Sequence, residues 1–257
     1  MHNEMDEIPL LDFDKDRNAL IEPSVYKNIG LPEYCVIPFY GSVVENLRQE
    51  NRLQKVYELG SILMPTEIYK LDHNGKSITV VCPTACGAPL AGALLEELIA
   101  LGCRKFVACG SAGVLKSELS RGYIVIPSAA VRDEGTSYHY LPASRTVALD
   151  RKVLNKLESV LKRHHVDYEI GLTWTIDAPY RETKAKIARR KAEGCLVVEM
   201  ECAAMAAVAT FRKVQFGQYL LAGDDISGDE WDHRNWTDTL PAYDKIFWLS
   251  VEACLTL

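Results

Sequence analysis

Two glutamates flank a methionine at the end of the apolar run Leu196-Val197-Val198-Glu199-Met200-Glu201, and a small-residue segment from Ala203 to Ala209 follows. An apolar run of that length reads as a buried strand, and the alanine-rich segment as a helix. Glu201 then falls at a helix N-terminus, where the backbone dipole stabilises negative charge by about 0.3–1 kcal/mol. Such an acid either starts the helix or accepts hydrogen bonds from a ligand at the strand end. Two other apolar runs end in a comparable way. Lys105-Phe106-Val107-Ala108-Cys109 leads into Gly110-Ser111-Ala112-Gly113, whose glycines let the backbone approach an anion or a sugar. Tyr219-Leu220-Leu221-Ala222-Gly223 leads into Asp224-Asp225, an adjacent carboxylate pair suited to general-acid chemistry when one member holds a proton. Ligands gather at strand carboxyl ends in α/β sheets, so the expected site joins Ser111, Glu201 and Asp225.

Several familiar motifs are excluded. Gly87-Ala88-Pro89-Leu90-Ala91-Gly92 has phosphate-loop glycine spacing but continues Ala93-Leu94 where Lys-Ser/Thr is required. Cys109-Gly110-Ser111-Ala112-Gly113 misses the serine-hydrolase elbow, because cysteine replaces its first glycine. No Gly-x-Gly-x-x-Gly fingerprint occurs there. Cys82 and Cys86 are a close pair among eight cysteines, without a second Cys or His pair to complete a zinc site, so no metal is expected.

The elements that must hold these residues alternate along the chain. Strands are expected at Tyr34–Phe39, Ile68–Leu71, Ser77–Val81, Lys105–Cys109, Gly122–Ile126, Tyr168–Thr175, Cys195–Val198 and Gln218–Ala222. Asn74-Gly75 is a hairpin signal between the second and third. Helical composition marks Val43–Val56, Pro89–Leu101, Asp150–His165, Glu182–Glu193, Ala203–Phe211 and Leu240–Leu255. This alternation predicts an α/β layered domain with a central sheet. Residues 1–33 carry Pro9, Pro23 and Pro32 and read as an irregular N-terminal arm; residues 34–257 form one domain without internal repeats.

Bulk properties narrow the partners. The 257 residues are 48% hydrophobic, enough for one full core, and the net charge of −6 argues against a nucleic-acid polymer. No apolar stretch of about 18 residues occurs, so no membrane span is expected. The first six residues lack the basic-then-apolar pattern of a signal peptide, which points to a cytoplasmic protein.

Glu199-Met200-Glu201 with Ala203-Ala204 resembles the ribose-binding signature of the nucleoside phosphorylase family, which includes uridine phosphorylase, hexameric purine nucleoside phosphorylase and methylthioadenosine nucleosidase. The resemblance spans roughly residues 36–255 and implies a three-layer αβα fold with a central mixed sheet. It implies cleavage of a nucleoside N-glycosidic bond, by default phosphorolysis to free base and ribose 1-phosphate. Inorganic phosphate is then the co-substrate, with no other cofactor. Hydrolysis by water, and a non-catalytic nucleoside-binding or storage role, are the alternatives. The likeness further implies a homo-oligomer, either dimer or hexamer.

The family pattern transfers residue by residue. Glu201 would hold the 2′ and 3′ hydroxyls, with Glu199, Met200 and Ser111 completing the ribose site. Gly110 and Ser111 would touch phosphate. Asp225 matches the acid that protonates the departing base, although Asp224 stands where serine is usual. Thr173 to Thr183 resembles the base-binding segment, with Pro179 at the place of its aromatic and Tyr180 next to it. Tyr180, Arg181 and Asp225 are the expected base contacts, since a ring and a guanidinium suit a planar heterocycle, although Arg181 does not fall on a family base-reading position. His139 is expected as a structural histidine rather than a sugar ligand.

The phosphate arginines of the family are missing. The loop after the first strand reads Pro38-Phe39-Tyr40-Gly41-Ser42-Val43, Ala108 occupies a second arginine position, and residues 62–66 offer no cation. Arg132, Arg181, Lys70 and Arg234 do not match those positions. Arg234 lies in the Trp-rich loop Gly228 to Trp236, which reads equally as a surface loop or as a lid bringing that cation in. The early glutamate of the nucleosidases is also absent, with Glu45 a little late.

Overall fold

The computed structural model describes residues 8–61, 64–235 and 240–257. Strands β1 (Tyr34–Pro38), β2 (Leu53–Leu59), β3 (Thr66–His73), β4 (Lys76–Val80) and β5 (Lys105–Val114) come from the first half of the chain. They are followed by β6 (Ile124–Asp133), β7 (Thr146–Ala148), β8 (Tyr168–Ile176), β9 (Cys195–Glu199) and β10 (Gln215–Asp225). The helices are α1 (Gly41–Gln49), α2 (Ala88–Leu101), α3 (Arg151–Arg163), α4 (Lys184–Ala192), α5 (Cys202–Arg212) and α6 (Leu240–Cys254).

All ten strands belong to one mixed sheet in the order β10-β6-β8-β9-β5-β1-β4-β3-β2, with β7 on β6. β10 also pairs with β5, so β5, β10, β6, β8 and β9 close into a ring. The pivot is β5. Its first residues run parallel to β1 on one side and β10 on the other. Its last two, Gly113 and Val114, pair antiparallel with Val198 and Val197. The predicted fold class is therefore correct, and the ring is an addition that linear alternation does not reveal.

Local chemistry explains most boundaries. Asn74 and Gly75 both take positive φ, as the tight β3–β4 hairpin requires. Asp150 caps α3 by accepting from the Lys152 amide at 2.7 Å. That helix lies against β10, where Tyr219 donates its hydroxyl to the Leu157 carbonyl at 2.7 Å. α5 packs on α2 and across β6, β8 and β10, while α6 covers β1, β5 and β10.

Three sequence expectations change. Val43–Val56 is not one helix: α1 ends at Gln49, Asn51 turns at positive φ, and Val56 lies in β2. Gly110 to Gly113 is not a loop but the continuation of β5, because both β10 and β9 satisfy its backbone there. Strand β6 runs on past Ile126 through Pro127 to Asp133, with an irregularity between Pro127 and Ala129 that admits the proline. The arm, from residue 8 to 33, holds two short 3-10 turns and otherwise no regular structure; residues 1–7 lie outside the described part.

Candidate active site

The two glutamates of the opening motif divide the two roles that a single acid could have filled. Glu199 turns inward. One oxygen accepts from the amides of Glu201 (2.7 Å) and Cys202 (2.6 Å), and the other from the hydroxyls of Thr175 (2.5 Å) and Thr173 (3.3 Å). Thr175 Oγ1 in turn accepts from the Ala203 amide at 3.0 Å. Glu199 is thus the acid that starts α5, satisfying helix amides that otherwise lack partners. Four donors already engage its carboxyl group, which leaves it little capacity for the sugar contact that the resemblance implies.

Glu201 is free for the other role. It is the N-cap residue of α5 but makes no side-chain bond to that helix. Its Oε1 instead accepts from the Gly87 amide at 2.7 Å, and Oε2 from the Met200 amide at 3.3 Å. Only 6% of its surface is exposed, and no cation pairs with it among the described residues. Burial pushes its carboxyl above the usual range. Burial first, and then the charge of Glu201, push Glu199 up to about 7. A buried carboxylate with spare lone pairs is a strong acceptor for hydroxyl donors.

Gly87, which sequence reasoning treated only as part of a failed phosphate loop, is the backbone donor that orients Glu201. Its signal was present: it precedes Ala88-Pro89, and the N-cap of a helix with proline in its first turn has an unclaimed amide. Cys86, exposed beside the start of α2, lies within electrostatic reach of Glu201, and partial desolvation followed by that charge raises its thiol pKa.

Ser111 reaches the same region through strand register. Gly113 pairs with Val198 and Val114 with Val197, so the antiparallel register carries Met200 toward Ser111. Among the described residues, no hydrogen bond occupies the Ser111 hydroxyl. Gly113 is narrow for a reason: a Cβ there would lie 3.0 Å from Val198 Cγ1 and 3.7 Å from Asp224 Oδ1. Asp224 therefore faces the Ser111–Gly113 side of β5. Its other oxygen accepts from the Trp231 indole at 2.6 Å.

Asp225 points elsewhere. Between Ala222 and Asp225 the β5–β10 register slips, which places Asp225 opposite Val114. One of its carboxylate oxygens accepts from Arg234 in a close ion pair, and the other from the Ser227 amide at 2.7 Å. Arg234 further donates to the Leu119 carbonyl at 2.8 Å. The expected pairing of Ser111, Glu201 and Asp225 is thus incomplete, and the acid beside Gly113 is Asp224. Arg234, expected as a phosphate cation, here donates to Asp225 and to the Leu119 carbonyl.

The remaining expected residues are less engaged. Tyr180 is fully exposed and Arg181 exposed, on a short 3-10 turn before α4, so neither forms a base pocket within this chain. Gly110 faces Phe39, whose Cβ would lie 3.2 Å from a Cβ at that position. Tyr40 stacks on Tyr243 and its hydroxyl meets Cys109 Sγ and the Tyr243 carbonyl, each at 3.1 Å. Arg132 is buried, donating to Ser137, Ser144 and the carbonyls of Leu141 and Pro142. Lys70 pairs with Asp72 at 3.3 Å. Ile62, Leu63 and Trp236 lie outside the described residues. His139 is exposed and lines a separate cavity of about 810 Å³ beneath arm residues 16–26, beside Glu96, Phe211 and Arg212.

Comparison with known proteins decides the family. The model of the phosphorylase superfamily matches residues 33–254. The chain belongs to that superfamily. It is 27% identical over 172 residues to guanosine phosphorylase of Halorubrum lacusprofundi, covering 65% of this chain and 71% of that protein. It is 32% identical over 107 residues to uridine phosphorylase of Haemophilus influenzae, covering 42% of each. In the solved structures, uridine phosphorylase of Vibrio fischeri matches with a TM-score of 0.74 at 18% identity, over 93% of this chain and all of that one. That likeness shows the fold. No helix among the described residues is long and apolar enough to cross a membrane.

Proposed function

We propose that this phosphorylase-superfamily protein cleaves the N-glycosidic bond of a nucleoside, transferring the ribosyl group to inorganic phosphate. The observation that carries the reading is Glu201. It is a buried carboxylate with no counter-cation among the described residues, oriented by the Gly87 amide, at the strand end beside Met200 and Ser111. Such a group binds a pair of vicinal hydroxyls through charge-assisted hydrogen bonds of about 1.5–3 kcal/mol each. It also stabilises positive charge that develops on the sugar as the bond breaks. Met200 would cover the sugar face, and Ser111 would donate to phosphate or ribose. The names of the matched relatives, guanosine phosphorylase and uridine phosphorylase, support phosphate as the acceptor.

A second reading, hydrolysis by water, rests on a specific observation. The place next to Gly110 is taken by the Phe39 side chain, and the cations Arg132, Arg234 and Lys70 are all committed elsewhere. A buried dianion without a counter-charge is costly. Association of copies would bring further groups to the site. Leu20, Ile21 and Val25 on the arm are 107%, 83% and 70% exposed, which supports a homo-oligomer.

The test is release of guanine or uracil from guanosine and uridine, with and without phosphate. Release that requires phosphate, with ribose 1-phosphate as product, is expected. Undiminished release in phosphate-free buffer assigns hydrolysis instead. Binding without release leaves the non-catalytic reading.

A further inference from the structure

We infer that Asp224 selects the base: its free carboxylate oxygen accepts a ring N–H, so the substrates are nucleosides of oxopurines or dioxopyrimidines rather than of adenine or cytosine. The inference rests on the glycosidic cleavage proposed above and names the substrate class of that same site.

The position of Asp224 follows from register and packing. Strand β5 is buried at Gly110, Ala112 and Val114 but partly exposed at Ser111 and Gly113, two residues that share a face. Met200 and Asp224 are partly exposed as well. Antiparallel pairing brings Met200 toward Ser111 and sets Val198 beside Gly113 on that face. Asp224 Oδ1 lies 3.7 Å from where a Gly113 Cβ would stand, so the absent side chain leaves a gap in front of this oxygen. Ser111 and Gly113 are about 6–7 Å apart along the strand. A ribose at Met200 and Ser111 thus needs only its attached base to span the distance to Asp224.

Trp231 decides what Asp224 offers there. Its indole donates to Asp224 Oδ2 at 2.6 Å. Reciprocal backbone bonds between Asp225 and Asp232, at 2.8 and 2.9 Å, fix the segment that carries the indole. Among the described residues, no hydrogen bond occupies Oδ1. An ionised carboxyl group only accepts, so the gap is faced by a single anionic acceptor. Hypoxanthine, guanine and uracil each meet it with a ring N–H beside a carbonyl. Adenine and cytosine carry a bare nitrogen lone pair at the corresponding ring position, which the carboxylate repels. A site built around one polar contact rejects the analogue that lacks it more strongly than an apolar pocket does.

The indole also makes the preference reversible by a single substitution. In Asp224→Asn the Trp231 donor demands the amide oxygen, which turns the amino group toward the gap. The acceptor becomes a donor, and the preferred bases exchange. Without the indole, the amide is free to turn either way.

The experiment measures kcat/KM with phosphate for inosine, adenosine, uridine and cytidine, and the affinity of each by calorimetry. The proteins are wild type, Asp224→Asn, Trp231→Phe and the double variant, with thermal unfolding run in parallel. Wild type is expected to prefer inosine over adenosine, and uridine over cytidine, by about 10–100-fold, the worth of one charge-assisted hydrogen bond. Asp224→Asn is expected to invert both ratios, Trp231→Phe to keep the wild-type order, and the double variant to bring both ratios near one. Ratios unmoved by Asp224→Asn, or an equal loss on all four nucleosides, would overturn the assignment. Inversion retained in full by the double variant would overturn the part given to the indole. Binding with the expected preferences but no release of base would uphold Asp224 as the selector and overturn the cleavage reading alone.

Discussion

Glu201 offers the sharpest test, because its two functions can be removed separately. Replacing it by alanine deletes the acceptor for sugar hydroxyls and also strands the Gly87 amide, whose bond to Oε1 is 2.7 Å. The stranded donor alone costs about 1–3 kcal/mol of stability. Glu201→Gln keeps an oxygen for Gly87 and nearly the same volume, and gives up only the long 3.3 Å bond from the Met200 amide, so the fold persists. What it loses is charge. Two hydroxyl bonds falling from charge-assisted to neutral strength lose about 1 kcal/mol each, and the developing sugar cation loses its nearest anion. Together these predict a fall in kcat/KM of about 10²–10⁴-fold for Glu201→Gln, at the upper end of the effects of removing one stabilising group.

The assay is initial-rate base release from a ribonucleoside and from its 2′-deoxy counterpart, for wild type and Glu201→Gln. Thermal unfolding of both proteins runs in parallel. If Glu201 accepts from the 2′ hydroxyl, part of the mutational loss must already be present in the wild-type enzyme on the deoxy substrate. The two perturbations are then less than additive. Full additivity refutes the hydroxyl assignment, and kinetics of Glu201→Gln equal to wild type refute the placement of the sugar.

Other expectations follow from the same contacts. Gly217→Ala puts a Cβ 2.8 Å from Val153 and 2.9 Å from Leu157, so α3 must shift, and thermal denaturation should show a loss of about 1–3 kcal/mol. Arg234→Ala leaves the 8%-exposed Asp225 without its cation, which costs up to about 3–5 kcal/mol when such a pair is fully buried. The same variant should leave the KM for phosphate unchanged, which steady-state kinetics at varied phosphate will show. For Glu199, a folded pKa of about 7 against 4.5 unfolded means the native state binds the extra proton. Stability therefore falls as pH rises from about 4.5 to about 7, and urea titrations should show that slope reduced in Glu199→Gln.

Much of the fold was legible because local signals and burial agreed. Asn74-Gly75, the Asp150 cap and the Pro89–Gly102 helix each state their structure within a few residues. The failures share a different cause. Gly110–Gly113 reads as a loop in isolation, yet becomes strand because β9 and β10 arrive from residues about a hundred positions away to pair with it. Glu199 and Glu201 could not be separated by sequence, since both are acids within two residues of a helix start. Only the positions of Thr173, Thr175 and Gly87 decide which carboxyl turns inward. Asp224 and Asp225 pose the same problem, and there one irregular pairing turns Asp224 to the Gly113 side and Asp225 to Arg234.

That division of the two acids bears on how the site is built. An adjacent acid pair on a regular strand points to opposite faces, so one acid is always spent on structure and the other presented to ligand. Glu199 and Glu201 achieve the same division around a helix start, with Met200 between them. Each strand end thus carries one carboxyl locked by donors, Glu199 by two amides and two hydroxyls, Asp225 by Arg234 and an amide. The locked acid fixes the backbone that aims its neighbour. Loosening a locked acid should then lower turnover without changing the chemistry. Asp225→Asn weakens the hold on Arg234, which bridges to Leu119 across the loop containing Trp231. The expected signature is a lower kcat on guanosine and on a nitrophenyl riboside, whose leaving group needs no proton, alike. Loss confined to guanosine would make Asp225 the acid that protonates the base, the role the family resemblance implies.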